Sequence, residues 1–429
     1  MKFISTRDKN RKQYSLKETA FMGLAPDGGL FVPEVIPQAN LLTLWQKAES
    51  SFTDMAGYLA GLWFAGDMTE KELQQATEQA FNFPIELRQL GDDKYTLELF
   101  HGPTFAFKDF GARFMGQVLG LLNKTPEELI ILTATSGDTG SAVANGFYDI
   151  PGIKVVILYP DGKVSGLQES QMTTLEKNIF PLKVKGSFDD CQRLVKMVFN
   201  DRRFRLRKQL TSANSINLLR WIPQSFYYFY GVYLWQKLTG KEIPEIVVPS
   251  GNYGNLAAGV LAWRMGLPVK RFIAASNAND VIPRYLQTGD YIPQPSRQTI
   301  ANAMDVGDPS NYERLRYLFR NDFHVLAGMI KGYACDDTAL KEAIAEVFGK
   351  YAYISDPHST VGYCAANYYR TDGFWLSTAH EAKFGEVIRE VLGLETELPG
   401  GLKKFLQKEK CYTSIEADIN VLKDMLLNV

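Results

Sequence analysis

From residue 95 to residue 277 the chain alternates short, almost unbroken apolar runs with small-residue loops and helical stretches. The runs are TLELF (96–100), LIILTA (129–134), KVVILYP (154–160), EIVVPS (245–250) and RFIAASN (271–277). Apolar runs without polar alternation mark strands buried on both faces, as in a mostly parallel sheet covered by helices. The pattern therefore predicts an α/β architecture. The first 95 residues have a different texture. MGLAPDGGLFVPEVIP (22–37) reads as loop and short strands. Amphipathic helical stretches follow at 41–63 and 69–83, the second with Thr69 and Glu72 at capping-box spacing. Residues 381–429 read as helices with a charged surface. No period of 20–50 residues recurs, which disfavours solenoids and propellers.

Composition narrows the class. The 429 residues carry 47 basic and 48 acidic side chains, so nothing global favours nucleic acid or an anionic membrane as partner. Hydrophobic residues at 45% and charged residues at 22% are ordinary for a folded protein. Cys191, Cys335, Cys364 and Cys411 are far apart and form no C-x-x-C pair, which excludes a disulfide scaffold and a cysteine zinc site. The longest apolar runs fall far below a membrane span. MKFISTRDKNRKQYS lacks the apolar stretch of a secretory signal, so a cytoplasmic location is expected.

Two loops share one layout: TATSGDTGSAVA (133–144) and VPSGNYGNLAAG (248–259). Each follows a strand, has two glycines three apart, and leads into an alanine-rich helix start. Glycines let backbone N–H groups approach an anion, and a helix N-terminus adds unpaired donors. Gly137 with Gly140, and Gly251 with Gly254, would frame two cradles for small anions. Such turns also occur with no ligand at all. Neither loop has the spacing of a dinucleotide fingerprint or a P-loop.

Lys108 occupies an unusual position in HGPTFAFKDFGARF (101–114), between Phe105, Phe107 and Phe110 and at the expected start of a helix. The helix dipole opposes a cation there. Aromatic surroundings would desolvate its ammonium and favour the neutral amine that a Schiff-base lysine needs. A surface pair with Asp109, or simple core packing of the rings, would explain the same residues.

Taken together, GLAPDGGLFVP (23–33), LFHGPTFAFKDFG (99–111), TATSGDTGSAV (133–143), SANSIN (212–217), VPSGNYGNL (248–256), NAMDVG (302–307) and LSTAHEAKF (376–384) resemble the threonine synthase family. This is a family of pyridoxal 5′-phosphate enzymes of the tryptophan-synthase-β-like fold, fold type II. The resemblance implies two lobes containing parallel sheets plus an N-terminal threonine-synthase domain. The expected boundaries are 1–95 for that domain and 96–429 for the catalytic region, whose smaller lobe spans about 110–220. It implies that Lys108 forms an internal aldimine with the cofactor. Gly251, Asn252, Tyr253, Gly254 and Asn255 match the loop that holds the cofactor phosphate, and Thr378 matches the residue whose hydroxyl faces the pyridine nitrogen. Ser136, Gly137, Asp138 and Thr139 match the loop near the substrate carboxylate and the cofactor hydroxyl. Asn214, Ser215, Asn217 and Arg220 match a stretch near the substrate phosphate. The chain departs from the family at Tyr253-Gly254-Asn255, where Phe-Gly-Asp is usual, and at Glu381, where proline is usual.

The implied reaction converts O-phospho-L-homoserine and water to L-threonine and phosphate by γ-elimination and β-addition of water, with Lys108 as the base. The expected partner is this small molecule, without nucleic acid, membrane or metal, in a monomer or homodimer. A phospho-lyase giving 2-oxobutanoate would use the same residues, and a small-molecule sensor would keep the fold without the chemistry. Among the remaining residues, Lys163 and Arg113 are weaker phosphate candidates. His101 could line the site, and His380 could shape its loop. His324 and His358 show no ligand spacing, and Asp305 is open between a structural and a site role.

Overall fold

The apolar runs pair side by side in two sheets. The computed structural model describes residues 1–124, 127–135 and 137–429. Its strands are β1 (Phe3–Ser5), β2 (Phe31–Pro33), β3 (Glu86–Gly91), β4 (Lys94–Glu98), β5 (Leu129–Ala134), β6 (Ile153–Pro160), β7 (Ile179–Lys185), β8 (Gln209–Thr211), β9 (Glu245–Pro249), β10 (Arg271–Ser276), β11 (Ile330–Ala334), β12 (Gly373–Ser377) and β13 (Thr413–Glu416). One sheet has the order β11-β10-β9-β12-β4-β3 and the other β13-β7-β6-β5-β8. Every neighbouring pair in both is parallel except β3 with β4. β5 and β9 are buried at every position, as strands covered by helices on both faces must be. β1 and β2 form a separate antiparallel pair.

The topology explains why distant motifs meet. In open parallel sheets, ligands bind beyond the carboxyl ends of the strands. The lysine loop follows β4, the loop 250–254 follows β9, and Thr378 follows β12, which lies between those two strands. In the second sheet the Gly137 loop follows β5 and Asn214 follows β8, which pairs directly with β5.

Local sequence sets the helix ends. Thr69 Oγ1 accepts from the Glu72 amide at 3.2 Å, and Glu72 Oε2 accepts from the Thr69 amide at 2.8 Å, the reciprocal capping box its spacing predicts. The stretch 41–63 is two helices, Leu41–Ser50 and Phe52–Phe64. Ser51 is extended between them; its amide donates to Lys47 O, and its Oγ accepts from the Asp54 amide at 3.0 Å. A serine side chain that caps a helix competes with continuing one. The break seats Phe52 against Phe81, Phe110 and Tyr230.

The C-terminal segment also differs from a purely helical expectation. β13 adds to the edge of the second sheet, parallel to β7. The helix Ile419–Asn428 buries Leu422 and Leu426 in one cluster with Val184 and Leu194. The segment thus returns to complete the sheet that carries the Gly137 loop. Among the described residues, no helix is long and apolar enough to cross a membrane.

Candidate active site

Lys108 is the first residue of the helix Lys108–Leu122, and its side chain is 17% exposed. Its Nζ lies 3.8 Å from Asp138 Oδ2, beyond hydrogen-bonding distance. Burial lowers its proton affinity. Asp138 opposes this shift, while the nearby cations Lys383 and Arg220 reinforce it. Asp109 is not its surface partner. That carboxylate is fully buried and accepts from the amide and hydroxyl of Thr104 at 2.8 and 2.7 Å, which braces the loop before the lysine. Nor do three rings enclose the ammonium. Phe107 lies 5.6 Å away, but Phe110 packs into the core against Phe83 and Tyr227, and Phe105 packs on His380. Consecutive helix positions point in different directions, so rings near in sequence need not share one face.

The loop after β9 is an array of donors. Among the described residues, the amides of Gly251, Asn252, Tyr253, Gly254 and Asn255 find no protein acceptor. They precede and open the helix Gly254–Arg264. Tyr253 takes a left-handed backbone with φ of 60° and buries its ring, its hydroxyl 2.5 Å from Ser276 Oγ. Asn252 is spent on Ser215 Oγ at 2.7 Å and on the Ser310 amide at 2.8 Å. Asn255 Oδ1 accepts from the Tyr227 and Tyr228 hydroxyls at 2.6 and 2.7 Å, and its Nδ2 is buried with no protein partner among the described residues. Gly251 has no room for a side chain, because a Cβ there would lie 2.5 Å from Met304 Cα. Unengaged amides at a helix start together with an orphan buried donor fit a phosphate group.

The loop after β5 is less open than its twin sequence suggests. Thr135 Oγ1 accepts from the amides of Gly137 and Gly140 at 3.0 and 2.8 Å. A threonine hydroxyl therefore fills the cradle those glycines were expected to frame. The amides of Asp138 and Thr139 remain unengaged among the described residues. Gly137 has φ of 150°, which favours glycine. Asp138 Oδ1 accepts from Lys383 Nζ at 2.5 Å and Gln168 Nε2 at 2.9 Å. Burial opposes its ionisation, but Lys383 and Lys108 win and hold the carboxyl well below the usual range. Ser136 lies outside the described residues.

The segment after β8 divides in two. Asn217 turns away from the site. Its Oδ1 caps the helix Leu218–Trp221, and its Nδ2 donates to Ala20 O and Ser212 O, both at 3.0 Å. Asn214 Oδ1 accepts from Thr133 Oγ1, and Ser215 Oγ meets Asn252 and Asn311. Arg220 is buried, donates to Ala213 O at 2.5 Å, and leaves Nε without a partner among the described residues. No carboxylate pairs with it there, and burial lowers its proton affinity to about 10. A buried cation without a counter-ion is costly unless an anion arrives.

Thr378 is buried at the end of β12, and its amide donates to Ser359 Oγ at 3.0 Å. His101 Nε2 is 2.9 Å from Glu98 Oε2, and His380 Nδ1 accepts from the Ala382 amide at 3.2 Å. His358 is structural, with Nε2 accepting from the Ala303 amide at 3.0 Å. Asp305 accepts from Asn277, Thr299 and Asn279, which makes it a brace for the loop 299–305. Arg113 Nε donates to Ala80 O at 2.8 Å, which ties the helix Lys108–Leu122 to the helix Glu70–Ala80. Sequence reasoning passed over Lys383, Gln168 and Arg314. Arg314 is fully buried over Trp221 at 4.4 Å and donates to Ser215 O and Ile216 O at 2.7 and 2.6 Å. Only the sequence AKF (382–384) hinted at any of them.

These residues lie at the strand ends of an α/β fold, and the comparisons agree with that arrangement. Residues 84–373 match the family described as pyridoxal-phosphate dependent enzyme. The chain is an enzyme of that class, a pyridoxal-phosphate-dependent lyase. Residues 2–81 match the threonine synthase N terminus, and residues 359–426 match the threonine synthase C-terminal family. The threonine synthase of Escherichia coli is 39% identical over 431 residues, covering 100% of both chains, and that of Saccharomyces cerevisiae is 34% identical, covering 99% of this chain and 97% of its own. The crystal structure of pyridoxal-phosphate-bound threonine synthase from Brucella melitensis superposes with a TM-score of 0.93 at 30% identity, covering 100% of this chain and 99% of its own. The chain belongs to the threonine synthase family.

Proposed function

We propose that the chain converts O-phospho-L-homoserine and water to L-threonine and inorganic phosphate. One observation carries the reading: a buried lysine of lowered proton affinity has, within electrostatic reach, a buried arginine that pairs with no carboxylate among the described residues. That pair suits a base acting on a substrate that carries its own anion. Pyridoxal 5′-phosphate, when bound, supplies an electron sink for charge developing on the substrate.

The chain's own residues do the rest. The amides of Gly251–Asn255, with Asn255 Nδ2, would hold the cofactor phosphate, and Lys108 would carry the cofactor. The Thr378 hydroxyl would meet its pyridine nitrogen without the charge a carboxylate would impose. Lys108, freed by the substrate amine, would take a proton from the α-carbon and then one from the β-carbon; phosphate would leave from the γ-carbon as the β-proton is lost, and only afterwards would Lys108 return a proton to the γ-carbon. Its lowered proton affinity suits an amine that must both take and give. Water then adds at the β-carbon. The substrate carboxylate would meet the amides of Asp138 and Thr139, with Ser136 and Gly137 in the same loop. An ionised Asp138 side chain would repel that carboxylate, so the backbone is the better donor. Arg220, with Asn214 and Ser215, would bind the leaving phosphate through charge-assisted hydrogen bonds.

In this reading residues 1–95 are an appended unit, 96–429 the catalytic region, and about 110–220 its smaller lobe. The enzyme works in the cytoplasm on a small molecule, as monomer or homodimer, without nucleic acid or membrane. Substituting Lys108→Ala tests it: the visible absorbance of bound cofactor and all turnover of O-phospho-L-homoserine should disappear. Full activity in that variant refutes the reading.

A further inference from the structure

Lys383 is a buried charge near Lys108, with a side chain 0% exposed. Its Nζ bridges three chain segments. It meets Asp138 Oδ1 at 2.5 Å at the start of the helix Asp138–Gly146, and donates to Thr104 O at 2.9 Å in the loop before Lys108. It belongs itself to the turn Glu381–Phe384 that follows Thr378. Gln168 and Gln171, from the helix Gly166–Thr173, donate to the same two acceptors at 2.9 and 3.3 Å. Asp138 Oδ1 is thus held by two donors, and Oδ2 is turned toward Lys108 at 3.8 Å.

We propose that Lys383 is a positioning residue for Lys108: by holding Asp138 through one oxygen, it keeps that carboxylate from closing a hydrogen bond on Lys108 and so leaves the Lys108 amine free to act. Two amines compete here for one carboxylate, and the short contact goes to Lys383. Burial of the side chain separates this role from substrate binding, since the Lys383 ammonium is closed off from a ligand. The charges facing Lys108 are Asp138, Lys383 and Arg220. Asp109, next in sequence, is turned to Thr104, and His380 lies within electrostatic reach of Lys383. Removing the Lys383 charge frees Asp138 to turn to Lys108 and also deletes a neighbouring cation. Both effects favour the protonated state at Lys108. Loss of the Asp138 charge acts the other way.

The inference rests on Lys108 carrying the cofactor, so the test has two arms. In the first, the visible band of purified holoenzyme is titrated with pH for wild type, Lys383→Gln and Asp138→Asn. Lys383→Gln should move the midpoint up by about 1 pH unit or more, and Asp138→Asn should move it down. A folded, cofactor-bound Lys383→Gln variant with an unchanged midpoint and reduced activity would make Lys383 a structural brace only, and would overturn the proposal. In the second arm, wild-type protein without cofactor is reductively methylated with formaldehyde and its peptides are mapped. Lys108 should be modified while Lys383 stays protected relative to surface lysines; equal modification of Lys383 and surface lysines overturns the proposal even if the variants fail to fold. Absence of any visible band in wild type would instead sink the functional reading, and the methylation arm would still be scored by itself.

Discussion

The amide of Phe107 donates to the carbonyl of Thr378 at 2.9 Å. The residue before the lysine is therefore stitched to the threonine that follows β12. An antiparallel bridge between Ala106 and Ala379, and the His380 amide on Phe105 O at 3.2 Å, extend the seam. Because the seam is backbone, side-chain changes at Thr378 leave it intact. Thr378→Val should therefore keep the fold and the Lys108 attachment while losing the hydroxyl. A net hydrogen bond is worth about 0.5–1.5 kcal/mol, so cofactor affinity should fall by about 2- to 10-fold. Fluorescence titration with pyridoxal 5′-phosphate measures it, and an unchanged affinity would place the hydroxyl away from the cofactor.

Among the described residues, the Arg220 side chain makes one hydrogen bond, to Ala213 O, and its Nε has no partner. Arg220→Lys keeps the charge but loses the planar fork. The KM for O-phospho-L-homoserine should rise about 10-fold or more, on the scale of a charge-assisted hydrogen bond. The visible band of the bound cofactor should not change. Loss of cofactor instead would move Arg220 to the cofactor side of the site.

Gly251→Ala would bring a Cβ to 2.5 Å from Met304 Cα and 3.1 Å from its carbonyl carbon. These are backbone atoms, so the loop must shift as a unit. The amides it presents would lose their common aim, and cofactor affinity should fall by at least about 10-fold with melting temperature lowered only slightly. Unaltered affinity would show that these amides do not hold the phosphate.

Which of these features could be read from the sequence depends on how far apart the interacting residues lie. β5, β6, β9 and β10 were legible because each is an almost unbroken apolar run followed by a loop of small or polar residues. β12, GFWLS, is five residues, yet it lies between the strands that carry Lys108 and Gly251. β9 is equally short, but the glycine-rich loop that follows it marks it, and no such loop follows β12. The two glycine loops look alike in sequence and differ in fact, because Thr135 turns its hydroxyl into one of them. Lys383 and Arg314 were invisible for a different reason. A lysine or arginine in a short helical turn is usually solvated, and only tertiary partners, Asp138 for one and Ser215 O with Ile216 O for the other, reveal them as buried. The ring cage expected around Lys108 failed because helix geometry sends Phe110 to the core.

Glu381 departs from the family's usual proline and gives a prediction about stability. Burial pushes its carboxyl up to about 7, and Asp356 and Glu98 add repulsion. His380, 3.1 Å away, offers no compensating charge, since burial pushes it down to about 4. An unfolded glutamate titrates at about 4.3. Below that pH both states are protonated and Glu381 costs nothing. As pH rises toward 7 the unfolded chain ionises first, so stability falls; above 7 the loss is constant. Glu381→Gln should exceed wild type by about 1–3 kcal/mol at pH 8 and match it near pH 4. Urea midpoints at both pH values check this, and an equal gain at both would remove ionisation as the cause.

The most direct measurement is a turnover assay with O-phospho-L-homoserine that follows threonine, phosphate and 2-oxobutanoate in the same sample. Threonine and phosphate should appear together in equal amounts, with no 2-oxobutanoate, and neither should form with Lys108→Ala. Phosphate released with 2-oxobutanoate and without threonine would contradict the account, because the same lysine and loops would then serve elimination alone.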